Sequence, residues 1–184
     1  MSFTFEPLEL PDVIRIRAAR HGDARGFFQE TYRRSAFAAA GIEALFVQAN
    51  HARSAKRVLR GLHYQLPPRA QGKLVRVVAG AVYDVAVDIR RDSRSYGAWV
   101  GCTLSGDEAE MLWVPPGFAH GYVVLSESAD LTYFVTEEYD AALDRGFRWN
   151  DPAVGVVWPV DDPVLSAKDR ALPVLAEADH PVGP

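Results

Sequence analysis

Met111-Leu112-Trp113-Val114-Pro115-Pro116-Gly117-Phe118-Ala119-His120-Gly121 is the stretch from which the rest of the chain can be read. The apolar run Met111 to Val114 reads as a short strand, and Pro115-Pro116-Gly117 ends it in a turn. A further strand, Gly121 to Leu125, comes next, and Asp130 to Thr136 reads as its neighbour.

The same rhythm runs upstream. Trp99 to Leu104 is a strand that turns at Ser105-Gly106-Asp107. Val82 to Ile89 puts Val85, Val87 and Ile89 on one face and Asp84, Ala86 and Asp88 on the other. Leu74 to Val78 precedes it across the turn Ala79-Gly80-Ala81. Leu45 to Asn50 reads as a short strand, and Arg33 to Ala40 as a helix ending before Gly41. Gly26 to Tyr32 is aromatic and extended, His21-Gly22-Asp23 marks a turn, and Val13 to Ala18 alternates as a strand. Strands spaced at about 8–12 residues with turn signals between them predict a mainly β sandwich or barrel, and periodicity does not choose between the two.

Beyond Asp140 the chain is irregular, and short helices are expected in this C-terminal extension from about 140. Ser166-Ala167-Lys168-Asp169 reads as a capping box before a short helix limited by Pro173. Residues after 178 read as a frayed tail. The 184 residues are read as one domain, 1–184.

Composition narrows the function classes. A formal net charge of -4 and a pI near 5.7 argue against general nucleic-acid binding. The single cysteine, Cys102, rules out an intrachain disulfide framework and a Cys-based metal cluster. The N-terminus lacks a signal-peptide pattern, and no run approaches the ~18 apolar residues of a membrane span, so a cytoplasmic protein without a membrane partner is expected.

One region opposes the overall charge. From His51 to Tyr83 there are seven basic residues (Arg53, Lys56, Arg57, Arg60, Arg69, Lys73, Arg76) and no Asp or Glu. Arg60-Gly61-Leu62-His63-Tyr64-Gln65 lies inside it. In an extended segment His63 and Gln65 share a face. A histidine beside cations points to acid–base chemistry on an anionic ligand; a hydrogen-bonded core histidine is the bland alternative.

The P-x-G-x-x-H pattern of Pro115 to His120 resembles the second motif of the cupin superfamily. That resemblance implies a jelly roll (double-stranded β-helix) with a few short helices. Metal-binding cupins supply H-x-H and a later carboxylate from their first motif. Here that place reads His63-Tyr64-Gln65, and residues 66–79 contain no Asp or Glu but do contain Arg69 and Lys73. The resemblance therefore implies a cupin-like pocket without metal or other cofactor.

Several further segments carry a closer resemblance: Asp23 to Phe28, Val47 to Ser54, Val58 to Gln65, Gln71 to Val77, Val85 to Arg90, Pro116 to Gly121 and Leu165 to Arg170. In this order, over roughly residues 5 to 177, they are similar to the dTDP-4-dehydrorhamnose 3,5-epimerase family. The family inverts C3 and C5 of a dTDP-4-keto-6-deoxyhexose, both α to the C4 ketone. The resemblance implies that His63 is the base, Asp169 its orienting carboxylate, Tyr133 the acid on the other face and Lys73 the stabiliser of the enolate oxygen. Each has a plainer reading: Asp169 as a cap partner of Ser166, Tyr133 as a sheet tyrosine beside Leu131 and Val135, Lys73 as a solvated lysine. Arg25 and Arg60 match nucleotide-contacting positions, with polar contacts from Glu30, Gln48 and Asn50. His120 would contact the sugar, Tyr139 would stack on thymine, Asp144 stands where the family often has Glu, and Lys168 precedes the dyad aspartate.

Two departures bear on the sugar wall: Phe134 stands where many relatives have Lys, and Glu137-Glu138 precede Tyr139 where aromatic pairs are common. The family also implies a homodimer whose N-terminal segment joins the partner's sheet, compatible with an edge-like strand at Val13 to Arg17. Competing readings are a mono-epimerase acting at C3 or C5 only, a metal-dependent cupin and a non-catalytic sugar-nucleotide binding module. Gln65 and the acid-free 66–79 segment weigh against the metal enzyme; the complete acid–base set weighs against the binding module.

Overall fold

The computed structural model describes residues 2–180. Its elements are β1 (Phe3–Pro7), β2 (Ile14–Ala18), β3 (Arg20–Asp23), β4 (Gly26–Gln29), α1 (Arg34–Ala39), β5 (Gln48–Ala55), β6 (Leu59–Gln65), β7 (Lys73–Ala79), β8 (Ala81–Asp88), β9 (Trp99–Ser105), β10 (Glu110–Val114), β11 (Phe118–Val124), β12 (Ser128–Val135), β13 (Asp144–Gly146) and α2 (Ala167–Arg170). One antiparallel sheet runs β1-β2-β10-β7-β12-β5 and the other β13-β6-β11-β8-β9. Within them, β5-β12-β7-β10 faces β6-β11-β8-β9, the strand order of a jelly roll. This decides between the sandwich and barrel readings and matches the cupin-type expectation.

Both sheets are covered on both sides, which explains why their strands are so apolar. Between them lies a core that includes Val75, Val77, Val82, Ala86, Leu104, Leu112, Val114, Phe118 and Leu131. The outer face of the five-stranded sheet, with Leu62, Val85, Val87 and Ile89, packs under the C-terminal extension through Phe147, Val154, Trp158 and Leu175. The outer face of the six-stranded sheet, with Ile16, Leu74, Met111 and Trp113, packs under Phe37 of α1 and Ile42 of the segment that follows it. Each fully buried Val, Leu, Ile, Phe or Met side chain among them stabilises the fold by about 1.5–3 kcal/mol before entropy is counted.

The alternation in β8 therefore has an unexpected sense. Asp84 and Asp88 are fully buried and their valine neighbours face the C-terminal layer. Gly61 and Gly121 create another irregularity. A Cβ on Gly61, whose φ is +141°, would sit 2.5 Å from Gly121 Cα, so neither strand tolerates a side chain at the crossing. The β6–β11 register shifts between His120 and Tyr122 at this point. Arg60 and His63, which a regular strand would point to opposite faces, both reach the interior through it.

Several sequence expectations are corrected here. β2 is not an edge: β1 and β10 pair with it on either side, and β1 takes the edge. His21-Gly22-Asp23 belongs to β3, and the turn falls at Ala24-Arg25. The C-terminal extension includes the strand β13 as well as α2 and a 3₁₀ turn at Leu175–Glu177. Asp179 and His180, read as frayed, are held: Tyr64 Oη donates to the Asp179 carbonyl, Arg145 Nε donates to Asp179 Oδ2 (2.6 Å), and His180 is buried. The remainder of that tail, 181–184, lies outside the described residues.

Candidate active site

Two adjoining cavities open between the sheets and share His63, Lys73 and Tyr133. The more enclosed one, about 120 Å³, is lined also by Arg60, His120, Tyr122 and Leu131. The outer one, about 340 Å³, is lined also by Gln48, Asn50, Tyr139, Asp144 and Lys168.

His63 comes from β6, in the five-stranded sheet, and its Nε2 lies 2.6 Å from Asp169 Oδ1. Asp169 is buried at the start of α2. Its other oxygen accepts from Ser166 Oγ at 2.7 Å, while its backbone N–H donates to the same hydroxyl at 3.0 Å. The capping box and the histidine partner thus coexist, one on each carboxylate oxygen. Burial alone would raise the Asp169 carboxyl; hydrogen bonds from His63 and Ser166 outweigh it and hold the group below the usual carboxylate range.

Tyr133 and Lys73 come from β12 and β7, in the opposite sheet. Burial raises the Tyr133 phenol, with nearby Arg60 acting against it, so the group carries its proton at neutral pH. Burial pushes the Lys73 ammonium down to about 8, while Asp144 and Asp84 pull it back up. Its Nζ donates to the His63 carbonyl at 3.2 Å.

His120 forms a second histidine–carboxylate pair, its Nε2 2.7 Å from Asp84 Oδ1. Asp84 Oδ2 is buried without a hydrogen-bond partner among the described residues. Arg60 Nε donates to Ser54 Oγ (3.1 Å). At the mouth, Asp144 Oδ2 takes both Lys168 Nζ and Tyr139 Oη, the latter at 3.1 Å. Gln48 Nε2 donates to Asn50 Oδ1 (2.9 Å) and its Oε1 accepts from the Tyr139 N–H (2.9 Å).

The structure thus brings together His63, Lys73, Tyr133, Asp169, Gln48, Asn50, Arg60, His120, Tyr139, Asp144 and Lys168. Arg25 and Glu30 stand apart. Arg25 is exposed on the β3–β4 turn and pairs with Asp23, while Glu30 lies 3.7 Å from Arg33. Both departures feared for the sugar wall point elsewhere. Phe134 packs outward against Phe46 (5.9 Å between centroids), and Glu137 and Glu138 face Arg69. The basic run also divides: Arg53 pairs with Asp130, Lys56 with Glu127 and Arg57 with Asp162, and of the seven residues Arg60 and Lys73 line the inner cavity. Asp84 and Tyr122 were not among the sequence candidates. Tyr122 was within reach, since it is two residues beyond His120 on one strand.

Among the described residues no three His, Cys, Asp or Glu side chains group so as to hold a metal ion. The place of a second motif histidine is filled by Gln65, whose amide is spent on backbone partners. The donor set does not fit a divalent cation.

A jelly roll carrying a histidine–carboxylate dyad, a half-buried lysine and a protonated tyrosine in one cavity defines a cupin-type protein equipped for proton transfer. Comparison with known proteins narrows the class. The family model described as dTDP-4-dehydrorhamnose 3,5-epimerase matches residues 7–177. A Pseudomonas aeruginosa dTDP-4-dehydrorhamnose 3,5-epimerase is 51% identical over 174 residues, 94% of this chain and 96% of that protein. One from Shigella flexneri is 48% identical over 173 residues, again 94% and 96%. The crystal structure of a Legionella pneumophila dTDP-6-deoxy-D-glucose-3,5-epimerase, in complex with dTDP-4-keto-L-rhamnose, superposes with a TM-score of 0.94 at 41% identity and covers 99% of both chains. The chain belongs to the dTDP-4-dehydrorhamnose 3,5-epimerase family.

Proposed function

We propose that this chain inverts C3 and C5 of dTDP-4-dehydro-6-deoxy-D-glucose to give dTDP-4-dehydro-L-rhamnose. The observation that carries the reading is the placement of His63 and Tyr133 on opposite sheets of one cavity, with Lys73 beside them. Inversion at carbon needs a proton removed from one face and another delivered to the other.

A carbon next to the C4 ketone loses its proton to the His63 imidazole. The C–H electron pair moves to form an enolate, with the negative charge on O4. The Lys73 ammonium, which lines the same cavity, stabilises that charge in surroundings of low dielectric. Asp169 orients His63 and stabilises the imidazolium. The Tyr133 hydroxyl then protonates the carbon from the opposite face, and solvent resets both groups. The same sequence at the second carbon completes the product.

The outer cavity suits the nucleotide. Tyr139 offers a flat ring for thymine, Gln48 and Asn50 supply polar contacts, and Lys168 supplies a cation for the diphosphate, with Arg60 a second one from the inner cavity. His120, held by Asp84, faces the sugar.

Arg25 and Glu30 fit a homodimer. They flank Phe27 and Phe28, which are 59% and 72% exposed on a hairpin whose two strands pair only with each other. In this reading the hairpin delivers both residues to the cavity of a second copy, and β1 is the edge available to it. A chain that sediments as a monomer would remove the dimer.

The activity is tested with the dTDP-4-keto sugar in D2O. Deuterium should enter at C3 and C5 with formation of the L-rhamno product. Label at one carbon would restrict the enzyme to single epimerisation, and none above the uncatalysed rate would leave a binding protein.

A further inference from the structure

We infer that Gln65 is a positioning residue: it fixes the loop that presents Tyr139 and so governs nucleotide affinity rather than proton transfer. The inference rests on the reading of Tyr139 as the platform for the base.

Gln65 is buried on β6, two residues past His63. Every polar direction of its amide that the structure satisfies goes to main chain. Nε2 donates to the carbonyls of Arg69 (2.6 Å) and Glu138 (3.1 Å), and Oε1 accepts from the Asp140 N–H (2.9 Å). Residues 138 and 140 are the two neighbours of Tyr139. The Tyr139 N–H itself is taken by Gln48, and its hydroxyl by Asp144, which pairs in register with Gln65 across β13 and β6.

This matters because the Tyr139 side chain has little packing of its own. It is 57% exposed and belongs to none of the core clusters. An exposed aromatic on an untethered loop would have to be ordered when a ligand arrives, and that cost would come out of the affinity. Here the peptides on both sides of the ring are already pinned by one buried side chain of β6. The residue type follows from the task. A glutamate would turn a carboxylate toward two carbonyl oxygens. A leucine would leave two carbonyls and one N–H without their buried partner. Only a neutral amide of this length offers two donors and one acceptor here. The position where a metal-binding cupin places a ligand thus serves the nucleotide loop.

The test is a two-residue cycle read by dTDP titration calorimetry on the full chain. Tyr139→Ala should weaken dTDP by about tenfold, the size of one lost base–aromatic stack. Gln65→Leu should weaken it by a similar factor in the otherwise natural chain, yet by less than about twofold when added to Tyr139→Ala, because residues acting through one another are not additive. At saturating substrate the turnover of Gln65→Leu should stay within about threefold, with the loss in KM, since uniform binding is what is removed. Thermal unfolding is run on each variant. If Gln65→Leu does not fold, Gln65→Glu, which keeps the acceptor for Asp140, takes its place in the cycle. Equal losses in both backgrounds, no loss, or a fall in turnover with KM unchanged would overturn the inference while leaving the platform reading intact. Unchanged affinity in Tyr139→Ala would remove the platform reading and the inference with it.

Discussion

His63 and Asp169 are 106 residues apart in the chain and 2.6 Å apart in the folded protein. The carboxylate that meets the histidine also closes the cap of α2 through Ser166. A carboxylate has two oxygens and about four lone-pair directions, so both tasks fit on one group. The four-residue α2 is too short to persist on propensity alone. Its cap and its buried aspartate hold each other in place, and the base is oriented by the same bonds.

Asp169→Asn should separate orientation from folding. The amide keeps size and burial but carries no negative charge to hold His63, and proton exchange should fall by about a hundredfold or more. Ser166→Ala leaves the His63 contact and removes the cap, at a cost of about 1 kcal/mol. For a chain of this length that is a fall in Tm of about 2–4 °C, with most of the exchange rate retained. A Ser166→Ala variant as inactive as Asp169→Asn would show that the cap, not the dyad, holds the base.

Lys73 sets the alkaline limb. Its folded pKa is about 8, below the ordinary lysine value, because burial penalises the ammonium. In the free enzyme the cation is present below about 8 and lost above it. The profile of kcat/KM should therefore decline as pH rises through this value, since that ratio reports the free enzyme. Stability moves the other way. Between about 8 and 10.5 the unfolded chain holds a proton on this lysine that the folded chain has released, so this group's contribution to stability grows with pH. Lys73→Met should abolish both effects and lower exchange at all pH values; an unchanged alkaline limb in that variant would assign it to another group.

Gly61→Ala tests the crossing that brings Arg60 and His63 to one face. The added Cβ meets Gly121 Cα at 2.5 Å and demands a positive φ of +141°. Both effects act on backbone, which cannot swing away. A destabilisation of about 3 kcal/mol or more is expected, with exchange falling further than the folded fraction alone explains. A variant with natural Tm and exchange rate would mean that β6 reaches the cavity without this crossing.

The legible parts of the molecule were those written in local pattern. Val82 to Ile89, Met111 to Val114 and the turn at Pro115-Pro116-Gly117 stand where alternation and punctuation place them. The cap at Ser166 followed from one four-residue motif. What stayed hidden depends on long-range geometry. Nothing local says that Asp84 is an interior residue, because a strand covered on both faces loses the usual link between polar and exposed. The Gly61–Gly121 crossing involves two strands far apart in sequence. The three-residue β13 is too short for any period to show. Arg25 and Glu30 were legible through resemblance alone, and a single chain does not bring them to the cavity.

Tyr133→Phe distinguishes a two-sided site from a one-sided one. Tyr133 and His63 approach the cavity from different sheets, so removing the phenol leaves proton abstraction intact and removes delivery to the opposite face. Burial raises the phenol above its ordinary value, which keeps the natural group a donor at neutral pH. In the variant the enolate still forms beside Lys73, but the nearest proton is the one on His63. In D2O, deuterium should enter C3 or C5 with retained configuration, while inverted product falls by about two to four orders of magnitude, the range for loss of a general acid. The two outcomes are read on one sample, wash-in by proton resonance intensity and inversion by product analysis. Inversion at the natural rate would place the second proton on another group, and Lys73, the other titratable side chain that the opposite sheet brings to the cavity, would be the first to examine.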